Sequence, residues 1–315
     1  MRKKISILLA VIVLLTCTGC GNSKYITDSN KQMVKNTETG QTLRNDILCR
    51  PTDKELLKIY KKNEKQMRNK LDKLPECNSF KLSSVKYHSL WESIFVKPLA
   101  WVILKTGYLV KNFGVAVMLI GAIIRLIMLP LSKKSMMTSE NMKKAQPELA
   151  KIEKKYQNKT DNESMMAKSQ ETMMLYKKYN INPMMGCLLS FIQLPLFFAF
   201  LEAINRVPAI FEGSFLGLNL GTNSLIGITQ GTWAVKILYI VIIALILLTT
   251  YLSFKNNMSG NSSVGGEKQM QMMSKFMIIM ISVISITLPV AIALYWIVTN
   301  GIMVIQSMIM KKSKK

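Results

Sequence analysis

Four long apolar blocks constrain the fold of this chain more than any other feature of its sequence. They cover residues 113–132, 185–204, 233–254 and 276–310. Hydrocarbon offers no partner to backbone amides, so apolar blocks of this length are expected to cross a membrane as α-helices. The last block contains Pro289 and is long enough for two short spans, 276–288 and 289–310. The sequence therefore predicts an all-α polytopic membrane protein with five transmembrane helices.

The distribution of lysines predicts the orientation of these spans. The segment 133–184 carries eleven lysines against six acidic residues, whereas 205–232 has a single residue of each sign. Because cytoplasmic loops are typically rich in Lys and Arg, we expect 133–184, 255–275 and 311–315 in the cytoplasm, and 20–90 and 205–232 outside. The net charge of +24 arises beside the spans and does not indicate DNA binding. Contacts with the phosphates of anionic lipid or ribosomal RNA stay a secondary alternative.

The N-terminus resembles a bacterial lipoprotein export signal. Arg2-Lys3-Lys4 precedes a short apolar run, and small residues stand directly before Cys20. Such a run is too short for a good span, so 1–19 is predicted to be a cleaved signal peptide and Cys20 the acylated first residue of the mature chain. Without cleavage, residues 5–19 would remain as an anchor. Both outcomes place the following region outside the cell.

Cys49 and Cys77 leave two alternatives open. Apolar residues between 53 and 74 recur at helical spacing, and one straight helix of that length would hold its ends about 30 Å apart. A disulfide needs Cα atoms within roughly 7 Å. The segment is therefore either a bent helical hairpin closed by a Cys49–Cys77 bridge, which an oxidising compartment favours, or a straight helix with free thiols.

Two segments beside the spans are predicted to be helical. Residues 91–112 are expected to lie in the outer membrane interface, because charged and aromatic side chains alternate there: Trp91, Glu92, Lys97, Trp101, Lys105 and Tyr108. The alternative is a further span, which would invert every later loop. Residues 133–184 are expected to form a cytoplasmic helical hairpin with helices starting near Gln146 and Glu163. Its methionine pairs either form an adaptable apolar surface or close the hairpin on itself or on lipid: 136–137, 165–166 and 173–174.

The sequence contains no pattern that indicates an enzyme. His88 is the only histidine, and no span pairs a serine with a histidine or a lysine at a catalytic spacing. Carboxylates do not cluster at the spacing of metal ligands, and the glycine motifs of nucleotide sites are missing from the sequence. We therefore expect no catalytic residue, no metal and no cofactor.

Arg125 is the only charged residue of the first apolar block. An arginine cannot lose its proton to escape hydrocarbon, and its placement near a bilayer centre costs roughly 3 kcal/mol. This span alone supports two interpretations equally: the side chain extends to the interface, or it enters a water-accessible cavity. Further spans also carry polar or amphipathic residues, for which interhelical hydrogen bonding is the alternative role: Gln193, Tyr295, Trp296, Thr299 and Asn300.

Several short motifs together resemble the YidC/Oxa family of membrane protein insertases, in its Gram-positive, SpoIIIJ-like lipoprotein form. They occur in a fixed order over roughly 91–310: Phe95–Trp101, Ile124–Leu131, Gln146–Leu149, Lys177–Pro183, Gln193–Ala199 and Leu294–Asn300. The resemblance implies five spans around a hydrophilic groove that is open to cytoplasm and lipid. It assigns Arg125, Gln193 and Trp296 to this groove, with Tyr295, Thr299 and Asn300 beside them.

The same resemblance implies the function of a membrane insertase and chaperone that works without nucleotide hydrolysis in the bacterial plasma membrane. Its implied partners are nascent membrane proteins, the lipid bilayer and, as a second factor, the Sec translocon, while the short tail weakens ribosome docking. The alternative function is a small-solute transporter or channel, because Pro195 and Pro289 break two spans.

Overall fold

The computed structural model describes residues 24–86, 88–182, 184–258 and 286–312, together with 276, 279, 280, 283 and 284. Within these ranges, the side chains of 184–191, 254, 256–258, 311 and 312 are not described. Several sequence predictions consequently lie wholly or mostly outside the described residues: the signal peptide 1–19, Cys20, the loop 255–275, the span 276–288 and the tail 311–315.

The described chain is mainly helical. In chain order its helices are α1 (Lys54–Lys62), α2 (Lys97–Leu109), α3 (Phe113–Ile127), α4 (Leu129–Lys155), α5 (Asn162–Lys178), α6 (Met184–Asn205), α7 (Pro208–Glu212), α8 (Ser224–Gln230), α9 (Trp233–Met258) and α10 (Val290–Lys312). A short antiparallel ladder joins β1 (Ser214–Phe215) to β2 (Leu218–Asn219), with Ser214 opposite Asn219. The turn between these strands uses Leu216 and Gly217 at positive φ.

The chain separates into two compact units. The first contains the described residues of Met1–Gly121, Gln193–Ala244 and Ser285–Trp296. The second contains those of Ala122–Ile192, Leu245–Ile284 and Ile297–Lys315. Residues from α3, α6, α9 and α10 therefore contribute to both units.

Among the residues that the structure describes, two helices are long and apolar enough to cross a bilayer. These are Trp233–Ser253 within α9 and Val290–Met310 within α10, with mean hydropathies of 2.4 and 1.6. Helices α3 and α4 qualify together as one broken span bent by 60°, and Ile192–Asn205 of α6 is a shorter apolar helix. The prediction of a helical, membrane-embedded protein is confirmed at this level.

The bend that ends α3 lies between Ile127 and Leu129, earlier than the predicted end of the first span at residue 132. Pro130 lies in the first turn of α4 and has no backbone N–H, so it cannot continue the hydrogen-bond ladder of α3. Ser132 donates its hydroxyl to the carbonyl of Met128 at 2.9 Å, which satisfies one carbonyl at the break. The first helix of the hairpin consequently begins at Leu129, well before the predicted start near Gln146.

The N-terminal segment, residues 24–86, is held by isolated β-bridges, short turns and one disulfide. The Cα atoms of Cys49 and Cys77 lie 4.9 Å apart, within reach of the bridge that the structure forms. Asp53 caps α1 by accepting from the amide of Leu56 at 2.7 Å, but α1 ends at Lys62. Single 3-10 turns follow it, so the alternative of a straight helix with free thiols was wrong. The bridged alternative is confirmed, with 3-10 turns in place of a second helix.

The region predicted to be interfacial consists of a π-helical turn, Glu92–Val96, followed by α2. At about 1.5 Å per residue, α2 spans roughly 20 Å, less than the apolar thickness of a bilayer. Trp101, Lys105 and Tyr108 are exposed as expected for an interface. Glu92 and Lys97, by contrast, are only 3% and 4% exposed, so the expectation that they face the headgroups was wrong.

Helices α4 and α5 pack against each other in the second unit. Their contact is built on Met142, Ala145, Leu149, Leu175 and Ile181. Lys178 pairs with Glu148 at 2.8 Å, and Tyr179 donates to the same carboxylate at 2.7 Å. The methionine pairs 165–166 and 173–174 are exposed, so these four residues do not close the hairpin on itself. An adaptable apolar surface and contact with lipid both remain open for them.

Removal of the disulfide tests how the N-terminal segment is held. Replacing Cys49 and Cys77 by Ala should destabilise the first unit by about 3–4 kcal/mol, because the bridge closes a loop of 28 residues in the unfolded chain. The loss is measured as increased protease sensitivity of 24–86 across a urea series. Asn78→Ala, at an exposed neighbouring position, is the matched control. Equal sensitivity of both variants would contradict the stabilising role.

Candidate functional site

Arg125 lies in the last turn of α3, and its side chain is 3% exposed. The next two residues, Leu126 and Ile127, are 55% and 70% exposed. The arginine therefore points into the protein, while apolar side chains of the same turn cover the surface. A side chain stretched along the helix towards the headgroups would be exposed on that surface. Its burial favours an interior position over extension to the interface.

The second unit has a polar interior between two apolar helices. Thr250 and Ser253 of α9 are buried, as are Thr299 and Ser307 of α10. The amide nitrogen of Asn300 lies 3.5 Å from the hydroxyl of Thr250. The hydroxyl of Ser253 lies 2.8 Å from the sulfur of Met303.

These contacts place a polar stripe on one face of α10. Its members recur at spacings of three and four residues, so they share a face: Thr299, Asn300, Met303, Gln306 and Ser307. Both side-chain amide atoms of Gln306 are buried and have no hydrogen-bond partner among the described residues. A buried amide without a partner is costly in a dry interior, so this stripe is suited to contact with water or a polar guest.

Tyr295 and Trp296 lie in the first unit and pack against aromatic residues of α6. The rings of Tyr295 and Phe200 stack with centroids 3.9 Å apart, and Trp296 meets Phe197 edge-to-face at 5.0 Å. Gln193 belongs to the same unit and is half-buried. The residues expected at one groove are thus distributed over the two units, with Arg125, Thr299 and Asn300 in the second.

A second cluster of charges, unforeseen from the sequence, lies in the first unit. Arg206, directly after α6, is only 1% exposed. Its Nη2 atom lies 3.0 Å from Oε1 of Glu92, and its Nε donates to the backbone carbonyl of Asp46 at 2.7 Å. Glu202, one turn earlier on α6, lies farther away, at 3.8 Å. Arg206 therefore depends mainly on residues distant in sequence.

Arg44 and Asp46 complete this buried ion network. Arg44 makes two hydrogen bonds of 2.7 Å to the carboxylate of Asp46, and its Nη2 lies 3.2 Å from Glu202. Lys97 lies 3.8 Å from Glu92 and donates to the carbonyl of Val85 at 2.8 Å. Bidentate geometry and several donors per carboxylate are the conditions under which buried charges are tolerated.

The pKa of Asp46 is lowered within this network. Burial alone would raise the pKa of the carboxyl group, since the charged form loses its hydration. The hydrogen bonds from Arg44 and the charges of Arg206, Arg44 and Arg68 outweigh that effect. Burial has the opposite consequence for Lys97, whose pKa is lowered although Glu92 acts to raise it. Asp46 is therefore firmly ionised near neutral pH.

No group of three or more metal-ligating side chains occurs in the part of the chain that the structure describes. Sequence reasoning also missed Thr250 and Ser253, although their spacing of three residues places them on one face of α9. Nothing in the local sequence signals the Asp46–Arg206 contact, which joins residues 160 positions apart.

Comparison with known proteins assigns the chain to a family. The family model described as "60Kd inner membrane protein" matches residues 105–315. This chain belongs to that family. The membrane protein insertase YidC of Oceanobacillus iheyensis is 36% identical over 229 residues, which cover 71% of this chain and 84% of the relative. The membrane protein insertase MisCA of Bacillus subtilis is 35% identical over 222 residues, covering 70% and 79%.

A solved structure is also similar to this member of the family. It is described as "Active YidC insertase crystal structure with the first transmembrane domain resolved", with 26% sequence identity and a TM-score of 0.46. The match covers 69% of this chain and 46% of that chain. The resemblance inferred from the motifs is confirmed by the family and its relatives, whose names are those of insertases and not of metabolic enzymes.

The lowered pKa of Asp46 predicts how the first unit responds to acid. A depressed pKa contributes stability above the unfolded value near 3.8, and that contribution is lost as the pH falls through the lower folded value. Hydrogen exchange at 44–50 should therefore be slower in the wild type than in Asp46→Asn at neutral pH. The difference between the two proteins should shrink as the pH falls below the unfolded value of 3.8 and through the lower folded value. A difference that stays constant over this range would contradict the assignment.

Proposed function

We propose that this chain is a membrane insertase that moves polar segments of nascent membrane proteins across part of the bilayer through a water-filled groove. The observation that carries the proposal is the buried Arg125 in an otherwise apolar α3. Membership of a family whose relatives are named insertases supports it. Gln193, Tyr295, Trp296, Thr299 and Asn300 remain the further residues proposed for this groove.

The mechanism follows from the cost of moving polar groups through hydrocarbon. Each unsatisfied backbone group costs several kcal/mol there, so a wet groove part-way into the bilayer shortens the costly passage. The permanent charge of Arg125 attracts acidic or polar residues of the incoming segment. Hydroxyl and amide groups of the polar stripe, such as Thr299 and Asn300, replace part of the lost hydration. The apolar part of the substrate then enters lipid, and this gain drives insertion without nucleotide hydrolysis.

The proposed topology has five spans, 113–132, 185–204, 233–254, 276–288 and 289–310. The N-terminus is outside and lipid-anchored at Cys20, and the C-terminus is in the cytoplasm, as the lysine distribution predicts. The hairpin of α4 and α5 is cytoplasmic and receives substrates on its exposed methionines. The proposal includes action alone or beside the Sec translocon.

Substitutions at Arg125 test the proposed mechanism in reconstituted vesicles. Arg125→Ala should reduce insertion of a single-span substrate with an acidic external segment by about tenfold or more, because a charge-assisted contact is lost. Arg125→Lys should retain more activity, since it keeps the charge. Insertion is measured as protease protection of the translocated segment.

Lys134→Ala is the matched control, because it removes an exposed cation close to the start of α4. All variants are first compared in thermal stability, so that loss of fold is separated from loss of function. Wild-type insertion by a folded Arg125→Ala protein would rule out the arginine-dependent mechanism. Equal losses for Ala and Lys would show that the shape of the guanidinium matters and not its charge alone.

Thiol labelling tests whether water reaches the interior position. In a Cys187→Ser background, Arg125→Cys should react with a membrane-impermeant thiol reagent applied to the cytoplasmic side of inverted vesicles, because the reactive thiolate forms in water. Ile127→Cys, at the exposed apolar face of the same turn, should stay unlabelled. Labelling restricted to position 127, or absent at both positions, would contradict a wet groove at Arg125.

A further inference from the structure

The N-terminal segment lies entirely before the residues that the family model matches, which begin at 105. It nevertheless supplies buried contacts to a residue inside the match. Arg206 donates to the carbonyl of Asp46 at 2.7 Å, and the amide of Leu48 donates back to the carbonyl of Arg206 at 2.8 Å. This chain therefore uses a segment outside the family's shared region to hold the end of α6.

The N-terminal segment makes further contacts with residues of the first unit that lie inside the family match. The amides of Thr52 and Asp53 donate to the carboxylate of Glu212 at 2.8 and 3.1 Å. The amide of Asn223 donates to the carbonyl of Thr39 at 3.1 Å. Gly40 has a φ of +70°, and a Cβ there would lie 2.2 Å from Ile226. The segment thus contacts residues 206–226 at several separate points.

The carboxylate of Asp46 adds an ion pair to this backbone contact, with its Oδ2 atom 3.5 Å from Nε of Arg206. Arg206 is buried and permanently charged, and the nearby carboxylates of Asp46, Glu92 and Glu202 also bind Arg44, Arg68 and Lys97. Removal of one partner from such a network leaves an opposite charge buried without its full compensation. Asp46 is the only carboxylate of this network that the N-terminal segment contributes.

The disulfide braces the backbone segment that carries Asp46. Cys49 is three residues further along, and its bridge to Cys77 is accompanied by a hydrogen bond of 2.9 Å from the amide of Arg50 to the carbonyl of Pro75. Both cysteines are buried. The backbone that presents Asp46 to Arg206 is therefore fixed at two points in the segment itself.

We propose that residues 24–86 form an intramolecular clamp in which Asp46 is a positioning residue for α6, acting through Arg206. The clamp holds the C-terminal end of α6 while substrate passes. Only the consequence of the clamp for insertion rests on the proposed function. The clamp itself is a property of the first unit, and it is measurable without any substrate.

A cleavable chain tests the clamp directly. A protease site is inserted between Leu82 and Ser83, both exposed in a turn, and a tag is placed at the C-terminus of the full-length protein in detergent. After cleavage, the fragment that ends at Leu82 should remain with the tagged part. Asp46→Asn should release it roughly a hundredfold faster, as expected when one partner of a buried ion pair is lost. Asp46→Glu should restore part of the retention.

Asp72→Asn is the matched control, since it removes an exposed carboxylate from the same segment. Loss of the wild-type fragment on cleavage would overturn the clamp, and equal retention in Asp46→Asn would overturn the role of Asp46. Should Asp46→Asn fail to fold, Glu202→Gln removes a less buried member of the network and should also speed release. If Glu202→Gln retained the fragment as well as the wild type does, the dependence of the clamp on the buried ion network would be contradicted.

Insertion assays on the same uncut variants test the consequence for function. Asp46→Asn should insert less substrate than Asp72→Asn at equal amounts of folded protein, and Asp46→Glu should recover part of the loss. A variant can release its fragment after cleavage and yet, when uncut, insert substrate as well as the wild type. That result would show that the clamp does not position α6 for this activity. If Arg125→Ala is also fully active, the proposed mechanism fails while the release measurement still decides the clamp.

Discussion

The burial of permanent positive charge is the constraint on which this structure depends. A guanidinium cannot become neutral, so the element that buries one has to bring counter-groups with it. For Arg206 these groups are the carboxylates of Asp46, Glu92 and Glu202. Their convergence fixes the path of the N-terminal segment, the π-helical turn before α2 and the end of α6. Arg125 meets the same constraint inside an otherwise apolar helix, where it is the residue on which the proposed groove rests.

Hydrophobic runs were sufficient to predict where most long helices lie, because the length of an apolar block and the need for internal backbone pairing leave few alternatives. The ends of helices were harder. Pro130 was included in a span although it begins α4, and Pro147 was placed at a helix start although it lies inside α4. A proline marks a local restriction on the backbone, but the surrounding packing decides whether the helix starts, bends or continues there.

A residue of the candidate site could be predicted where it departed from the local sequence pattern. It could not be predicted where only tertiary contacts with distant residues determine its surroundings. Arg125 is evident as the single charge of its block. Glu92 and Lys97 resembled interfacial residues, because aromatic neighbours give the same local composition whether the charges face headgroups or each other. Thr250 and Ser253 were overlooked, since hydroxyl side chains in spans commonly bond to their own helix backbone and give no distinct signal. Only the fold distinguishes these cases.

The depth of the disulfide has a consequence for the order of biogenesis. Cys49 is fully covered and Cys77 nearly so, and thiol–disulfide exchange requires that the attacking and attacked sulfurs be accessible. An oxidant must therefore reach both thiols before the folded segment buries them. Formation of the bridge thus has to precede the completed folding of this segment. Once the segment has folded, the bridge is protected from reductants in the surroundings.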